Sequence, residues 1–212
     1  MDLGAIEARL RTLWTDKDYN ACAVLVMESY GAEIYSFLLA RFPGKDVYAD
    51  DAFSDFNEDL WRSLPAFEWR CALRSYCYKL ARSAAARVTR APHNKHARRV
   101  SLSQNPGLEA AADKARTSTA PYLRTTIKNE IAKLRESLSP DDRELLTLRI
   151  DRDLAWRDIA FILSEGSGEM PVEETRKLEA ALRQRFGEIK KRIRRKAEQS
   201  GLLEGRRPRL AR

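Results

Sequence analysis

The sequence predicts an all-α protein made of two small helical domains joined by a flexible linker. Apolar residues recur at helical spacing through most of the chain, while the alternation that marks half-buried strands is nearly absent. Gly and Pro are gathered at a few places, where they indicate helix ends. With 212 residues and 43% hydrophobic content, the chain is long enough to build two folded cores.

The first domain is expected over residues 1–95 and contains four amphipathic segments. Phe42-Pro43-Gly44 separates the second segment from the third, and Leu64-Pro65 ends the third. These breaks and the apolar periodicity predict helices at 5–14, 19–41, 47–63 and 70–90.

A flexible linker is expected over residues 96–125. The stretch 91–121 mixes Pro, Ser, Asn, Thr and basic residues with few apolar anchors, so it offers little surface to a core. One short helix is expected inside it, near 107–116.

The second domain is expected over residues 126–205, followed by a basic tail over 206–212. In LSPDDRELLTLRI, Ser139 can accept from the first amides, Pro140 suits the first helical position and Asp142 favours the helix N-terminus. LAWRDIAFIL, the turn SEGSGEM and a long polar helix over 171–199 follow. This is a helix-turn-helix pattern, which DNA-binding proteins share with many ordinary helical bundles.

The net charge of +8 is distributed in alternating blocks along the chain. Residues 1–69 hold 6 Lys or Arg against 13 Asp or Glu, and residues 70–135 hold 15 against 3. Residues 136–169 hold 4 against 9, and residues 170–212 hold 14 against 6. Segregated blocks predict separate surfaces for separate partners, one of them a polyanion, although solvated helix faces also carry uneven charge.

Several classes of protein are disfavoured. The three cysteines lie in apolar surroundings, which argues against a disulfide framework and for a reducing, cytoplasmic compartment. No apolar run reaches the roughly 18 residues of a membrane span, and the N-terminus lacks the order of a signal peptide. His93 and His96 lack the companion ligands of a metal site, and no nucleophile arrangement stands out. No enzymatic activity, cofactor or metal is therefore expected.

The stretch ADDAFSDFNEDLW, residues 49–61, concentrates carboxylates in a basic protein. On a helical wheel its apolar residues, including Phe53 and Phe56, form one stripe, and Asp51, Asp55 and Glu58 fall on the opposite face. Like charges at these spacings repel, so the carboxylates are expected either to meet a partner or to form a solvated face. A metal site is disfavoured because all of them lie on one helix without histidine.

The next helix carries a basic and aromatic face. Its apolar stripe is expected to comprise Leu73, Tyr76, Cys77, Leu80 and Ala84. Arg74, Tyr78 and Arg82 align on another face, after a loop that carries Phe67 and Trp69. Arginines interleaved with aromatic rings suit single-stranded nucleic acid, although the rings could instead be core residues and the arginines solvated.

These stretches resemble the extracytoplasmic-function sigma factors, a subfamily of bacterial sigma factors. ADDAFSDFNEDLW is similar to the family's AEDLVQEVFLRLW-type stretch, and LPAFEWRCALRSYCYKLARSAA is similar to the run that follows it. LSPDDRELLTLRIDRDLAWRDIAFIL resembles the opening helices of the promoter-reading domain, and ALRQRFGEIKKRIR resembles its recognition helix. The resemblance covers about residues 20–95 and 130–203.

The resemblance implies an alternative sigma factor that binds core RNA polymerase and melts promoter DNA, and it leaves open an anti-sigma factor as a further partner. It assigns Asp51, Asp55 and Phe56 to the clamp helices of the largest polymerase subunit. It assigns to the melted minus-ten element the residues Trp69, Arg70, Arg74, Tyr78, Lys79 and Arg82.

For the double-stranded minus-thirty-five element, the resemblance points to the last long helix. Arg183, Gln184 and Glu179 are expected at base edges. Nearer the phosphates it places Arg176, Lys177, Arg185, Lys190 and Lys191.

The chain departs from the family pattern at several positions. Ser54 replaces a glutamine, Trp69 replaces a glycine, and the turn before the recognition helix is longer than the family's. Two other readings therefore stay open: a helix-turn-helix regulator that does not bind core polymerase, and an RNA-binding or scaffold protein.

Overall fold

The computed structural model describes residues 3–90, 105–126, 134–164 and 170–199. Every regular element in these residues is helical, as the sequence predicts. The chain divides into two compact units, one built mainly from the residues up to Leu123 and the other mainly from those that follow.

Among the described residues, the first unit contains five α-helices. They are α1 (Leu3–Thr15), α2 (Tyr19–Arg41), α3 (Asp46–Ser63), α4 (Leu73–Arg90) and α5 (Pro106–Thr126), with a 3₁₀ turn (Leu64–Ala66) after α3. The four predicted helices of the first domain are confirmed within three residues at either end.

Helix α2 is the central helix of this unit. Its N-terminus is capped by Asp18, whose carboxylate accepts from the backbone N–H of Ala21 at 3.0 Å. By length and composition alone α2 could cross a membrane. Much of its surface is buried inside the unit, including Val26, Ile34 and Leu38, as in the central helix of a folded domain.

Helices α3 and α4 pack against each other and against α2. The apolar stripe predicted for α3 is confirmed: Ala49, Ala52, Phe53, Phe56 and Leu60 are all fully buried. The stripe predicted for α4 is only partly right, because Tyr76 and Leu80 are half-exposed. The helix is turned further than expected, and its buried residues are Leu73, Ser75, Cys77, Tyr78, Ala81, Ala84, Ala85 and Val88.

The segment predicted as a flexible linker is helical in its described half. Helix α5 has 21 residues, where only a short helix near 107–116 was predicted. It buries Leu108, Ala111 and Ala112. One leucine and several alanines therefore pack this helix against the unit, although the sequence shows few large apolar residues there. Residues 91–104 lie outside the described residues, as does the predicted basic tail.

The described part of the second unit contains α6 (Pro140–Leu146), a π-helical turn (Thr147–Asp151), most of α7 (Trp156–Leu163) and α8 (Val172–Gln199). The predicted cap is confirmed: the Ser139 hydroxyl accepts from the N–H of Asp142 at 3.2 Å, and Pro140 occupies the first turn. Helix α8 is continuous over 28 residues and close to the predicted 171–199. Its inner face buries Leu182, Phe186 and Ile189, with Trp156 of α7 edge-on to Phe186 at 5.5 Å.

Candidate nucleic-acid and partner interface

The carboxylates of α3 are paired with arginines of the same unit. Arg87 of α4 lies between Asp55 and Asp59, with 3.6 Å between its Nε and an Oδ2 of Asp55 and a hydrogen bond to Asp59. Asp55 therefore points toward α4, which corrects the expectation that it lies on an outward face. An arginine between two aspartates offsets the repulsion that their spacing creates.

Two further carboxylates of α3 also have partners. Asp50 accepts a hydrogen bond from the hydroxyl of Tyr35 at 2.7 Å, and Glu58 is buried and forms an ion pair with Arg62. Asp51 is half-exposed. The acidic stretch is therefore mostly an internal charge network, and the solvated face expected for Glu58 is wrong.

Phe56, predicted to contact polymerase, is fully buried. Its ring stacks on that of Phe53 at 5.8 Å, in the core beneath the acidic stretch. A buried ring cannot touch a partner in this conformation, so the direct role predicted for Phe56 is corrected to support of α3 from within.

The beginning of α4 is held by two acidic side chains that sequence reasoning did not identify. The carboxylate of Glu7 in α1 accepts from the backbone N–H groups of Leu73 and Arg74 at 3.2 and 3.1 Å, and so caps the helix. Glu33 in α2 accepts two hydrogen bonds from the Arg74 guanidinium, at 2.7 and 2.9 Å. The hydrogen bonds to Glu33 outweigh burial and raise the pKa of Arg74 above its usual range.

The face formed by Arg74 and Tyr78 is directed into the unit. Arg74 is 15% exposed and Glu33 is 20% exposed, and the Tyr78 ring is fully buried and edge-on to Phe37 at 5.3 Å. Both residues were predicted to contact melted DNA. The structure instead uses them to join α4 to α2, because the helix is turned relative to the predicted stripe.

The loop before α4 gathers aromatic rings on one side of the unit. Trp69 lies 5.2 Å from Phe67 and 6.1 Å from Trp14 between ring centroids, and the Arg11 guanidinium lies 5.0 Å above its ring. Trp69 has a left-handed backbone with φ of 56°, which is unusual for a bulky residue. Its side chain remains partly exposed.

The other predicted minus-ten residues are more accessible. Arg70 is exposed beside Glu68, and Lys79 and Arg82 are half-exposed on α4. The accessible part of the predicted single-strand surface therefore consists of Trp69, Arg70, Lys79 and Arg82.

In the second unit, Asp142 joins α6 to α8. One oxygen accepts from Arg185 at 2.8 Å and the other from Arg192 at 2.9 Å. Burial alone would raise the pKa of Asp142, but the hydrogen bonds and charge of Arg185, with those from Ser139 and Arg192, outweigh it and lower the pKa. Arg185, predicted as a phosphate contact, thus has a structural partner.

The remaining predicted residues of α8 lie at or near its surface. Arg183 forms an ion pair with Glu179 at 2.8 Å and lies 5.6 Å above the Trp156 ring. Four of them are exposed and lie well away from the buried stripe: Arg176, Lys177, Gln184 and Lys191. Lys190 is also exposed, and its ammonium lies 4.9 Å above the Phe186 ring. The whole helix holds ten Lys or Arg and five Glu. Such a ridge can bind the phosphates of a duplex.

No group of three potential metal ligands occurs within the described ranges, and His93 and His96 lie outside them. The three cysteines are free thiols, and burial raises the pKa of the Cys22 thiol to about 11. A search for similar proteins finds no match to the chain among family models, curated proteins or solved structures.

Proposed function

We propose that this protein is an alternative sigma factor of the extracytoplasmic-function type, which binds core RNA polymerase in the cytoplasm and directs promoter recognition, melting and initiation. The observation that carries the proposal is the exposed basic ridge of α8, the last helix of the predicted helix-turn-helix pattern. In proteins of this kind the second helix of the motif enters the major groove and its side chains reach base edges.

The contacts of α8 divide its residues between two roles. Gln184 and Arg183 are suited to adenine and guanine edges, with Glu179 holding Arg183 in place. Lys177, Arg176 and Lys191 are suited to phosphates. Arg185 acts mainly by positioning α8 through Asp142.

The first unit supports the proposal at one specific position. The family run that α4 and its preceding loop resemble carries glycine where this chain has Trp69, and the backbone there is left-handed. Glycine adopts a left-handed backbone without strain. Because Trp69 adopts the same backbone conformation, the loop can keep its shape even though the glycine is replaced. We expect Trp69, Arg70 and Arg82 to capture unstacked bases and the adjoining phosphates of a melted strand.

A helix-turn-helix regulator that does not bind polymerase is the second candidate. The pairing of Asp55 and Asp59 with Arg87 favours it, because the acidic stretch then needs no partner to offset its repulsion. The two candidates share DNA binding through α8 and differ in polymerase binding.

A pull-down of bacterial core RNA polymerase with the purified full chain at low salt separates the candidates. The sigma function predicts a complex that Asp51→Lys weakens, since Asp51 is a half-exposed carboxylate in the acidic stretch of α3. Asp16→Lys makes the same charge change at an exposed position outside α3 and α5 and serves as the control. Absence of any complex, together with binding to duplex DNA, would favour the regulator.

A further inference from the structure

Helix α5 lies along α2 and runs in the same direction. Near its start, Asn105 donates from its side-chain amide to Asn20 at 3.2 Å. Fourteen residues further along the chain, the hydroxyl of Thr119 in α5 donates to the backbone carbonyl of Ala32 at 3.1 Å. The two contacts lie about three helical turns apart on α2.

The two helices approach each other closely at Gly31. A Cβ atom built on Gly31 would lie 2.9 Å from the Cβ of Ala115 and 2.6 Å from the Sδ of Met27. The glycine is therefore needed for α5 to lie in this position, since a side chain there would push against the facing helix. Gly31 and Ala115 thus form a close packing contact between α2 and α5.

Arg116 of α5 reaches over α3. Its guanidinium donates to the Ser54 hydroxyl at 2.9 Å, lies 5.1 Å above the Phe53 ring and comes within 3.9 Å of the Asp50 carboxylate. Ser54 is the position where the family has glutamine. The arginine thus links α5 to the α3 stretch whose neighbouring residues Asp51 and Asp55 were assigned to polymerase.

The buried face of α5 is built from small residues. Leu108 is its one large apolar side chain among those described, beside Ala111, Ala112 and Ala115. The interface of α3 with α4 instead buries several large side chains, among them Phe56, Leu60 and Leu73. Because burial scales with apolar area, α5 is held less strongly than α3 and α4.

We propose that α5 is a displaceable strap that covers the α2–α3 surface and competes with core RNA polymerase for it. This inference rests on the proposed sigma function. The free protein populates mainly the strapped form, and polymerase binds the fraction in which α5 has left. The apparent affinity is lowered by that fraction, so changes on α5 alone alter polymerase binding without touching the α2–α3 surface.

A reversible cross-link tests the strap directly. A Cβ at Gly107 would lie 3.4 Å from Cγ2 of Val24, so Val24→Cys with Gly107→Cys places two thiols within disulfide range. The full chain is oxidised, the cross-link is confirmed by mass spectrometry, and binding to core polymerase is compared before and after reduction. The two single-cysteine variants, treated in the same way, control for oxidation of Cys22, Cys71 and Cys77.

Two variants that weaken the contacts of α5 should strengthen polymerase binding. Arg116→Ala removes the link to α3, and Ala115→Glu places a charge against Gly31. Lys114→Ala, an exposed position on the same helix, is the matched control.

The strap predicts that oxidation weakens polymerase binding about tenfold or more and that reduction restores it, while Arg116→Ala strengthens binding severalfold. Equal binding by the oxidised and reduced protein would overturn the strap and leave the sigma function standing. Failure of every form to bind polymerase would overturn the sigma function, and the strap with it.

Discussion

Asp142 of α6, 7% exposed, accepts a hydrogen bond from Arg185 of α8 at 2.8 Å and so joins these two helices. Arg185 is 44% exposed, and the other oxygen of the Asp142 carboxylate pairs with Arg192. Because α8 is otherwise held by a narrow apolar stripe, this contact fixes the rotation of the helix about its own axis. The side chains that face outward depend on that rotation.

Asp142→Asn is expected to destabilise the second unit by about 1 to 3 kcal/mol, since two charge-assisted hydrogen bonds are weakened. Urea unfolding of the full chain, followed by fluorescence of Trp156 in a variant whose other tryptophans are replaced by phenylalanine, measures the change. Asp141→Asn, an exposed neighbour on the same helix, is the control and should stay within about 0.5 kcal/mol of the parent. Equal effects of the two changes would argue against the Asp142 contact.

The effect of Asp142→Asn should depend on pH. The pKa of Asp142 is lowered in the folded state, so its contribution to stability is fully present above the ordinary aspartate value of about 3.9 and is lost as the pH falls through the lower folded value. The free-energy difference between parent and variant should be constant from pH 7 to about 5 and should shrink below about 4. A difference that grows on acidification would contradict the direction of the shift.

Arg87→Gln should destabilise the first unit by about 1 kcal/mol, because Asp55 and Asp59 lose the cation between them. In an Asp59→Asn background the same change should cost less. A double-mutant cycle in urea measures this coupling. Strictly additive effects would show that Arg87 does not bridge the two carboxylates.

Arg74→Ala should cost about 3 kcal/mol of stability, since it leaves the Glu33 carboxylate largely buried without its bidentate partner. Arg74→Lys should recover only part of this, because lysine cannot reproduce the paired donors. Thermal unfolding of the full chain makes the comparison, with Arg82→Ala as the control from the same predicted face. If Arg74→Ala left stability unchanged but weakened single-strand binding, the original assignment to DNA would be restored.

Gln184→Ala and Lys177→Ala should affect DNA binding in different ways. Loss of Gln184 should cost about 1 to 3 kcal/mol at one base position and relax the preference there. Loss of Lys177 should weaken all sequences alike and reduce the salt dependence by about one phosphate. Fluorescence anisotropy with duplexes that differ at single positions, at several salt concentrations, separates the two outcomes. A uniform loss for Gln184→Ala would mark it as a backbone contact.

Local signals predicted the elements well and the site only in part. Apolar periodicity located α1 to α4, and the Ser139-Pro140 pair located α6, because these signals act within one or two helical turns. The capping of α4 by Glu7 joins residues 66 positions apart, so no local pattern could reveal it. Helix α4 is rotated about its axis relative to the predicted orientation. Tyr78, and the face predicted to bind DNA, therefore point into the unit.

The packing of α5 on α2 was not predicted, for a similar reason. Alanines contribute little to a hydrophobic pattern, and their value emerges only where a glycine lets two helices approach closely, as Gly31 does for Ala115. The acidic stretch shows the same limit. Its carboxylates were expected either to meet a partner or to form a solvated face, but the cations of Arg87 and Arg116 lie within the same unit.

Transcription from a randomised promoter library by core RNA polymerase, with and without the full-length protein, tests the central claim most directly. The sigma function predicts protein-dependent transcripts whose templates share an upstream duplex element and a downstream melted element. Gln184→Ala should relax the preference at one position of the upstream element and leave the downstream one unchanged. Protein that binds duplex DNA but yields no such transcripts would contradict the sigma function and leave the helix-turn-helix regulator.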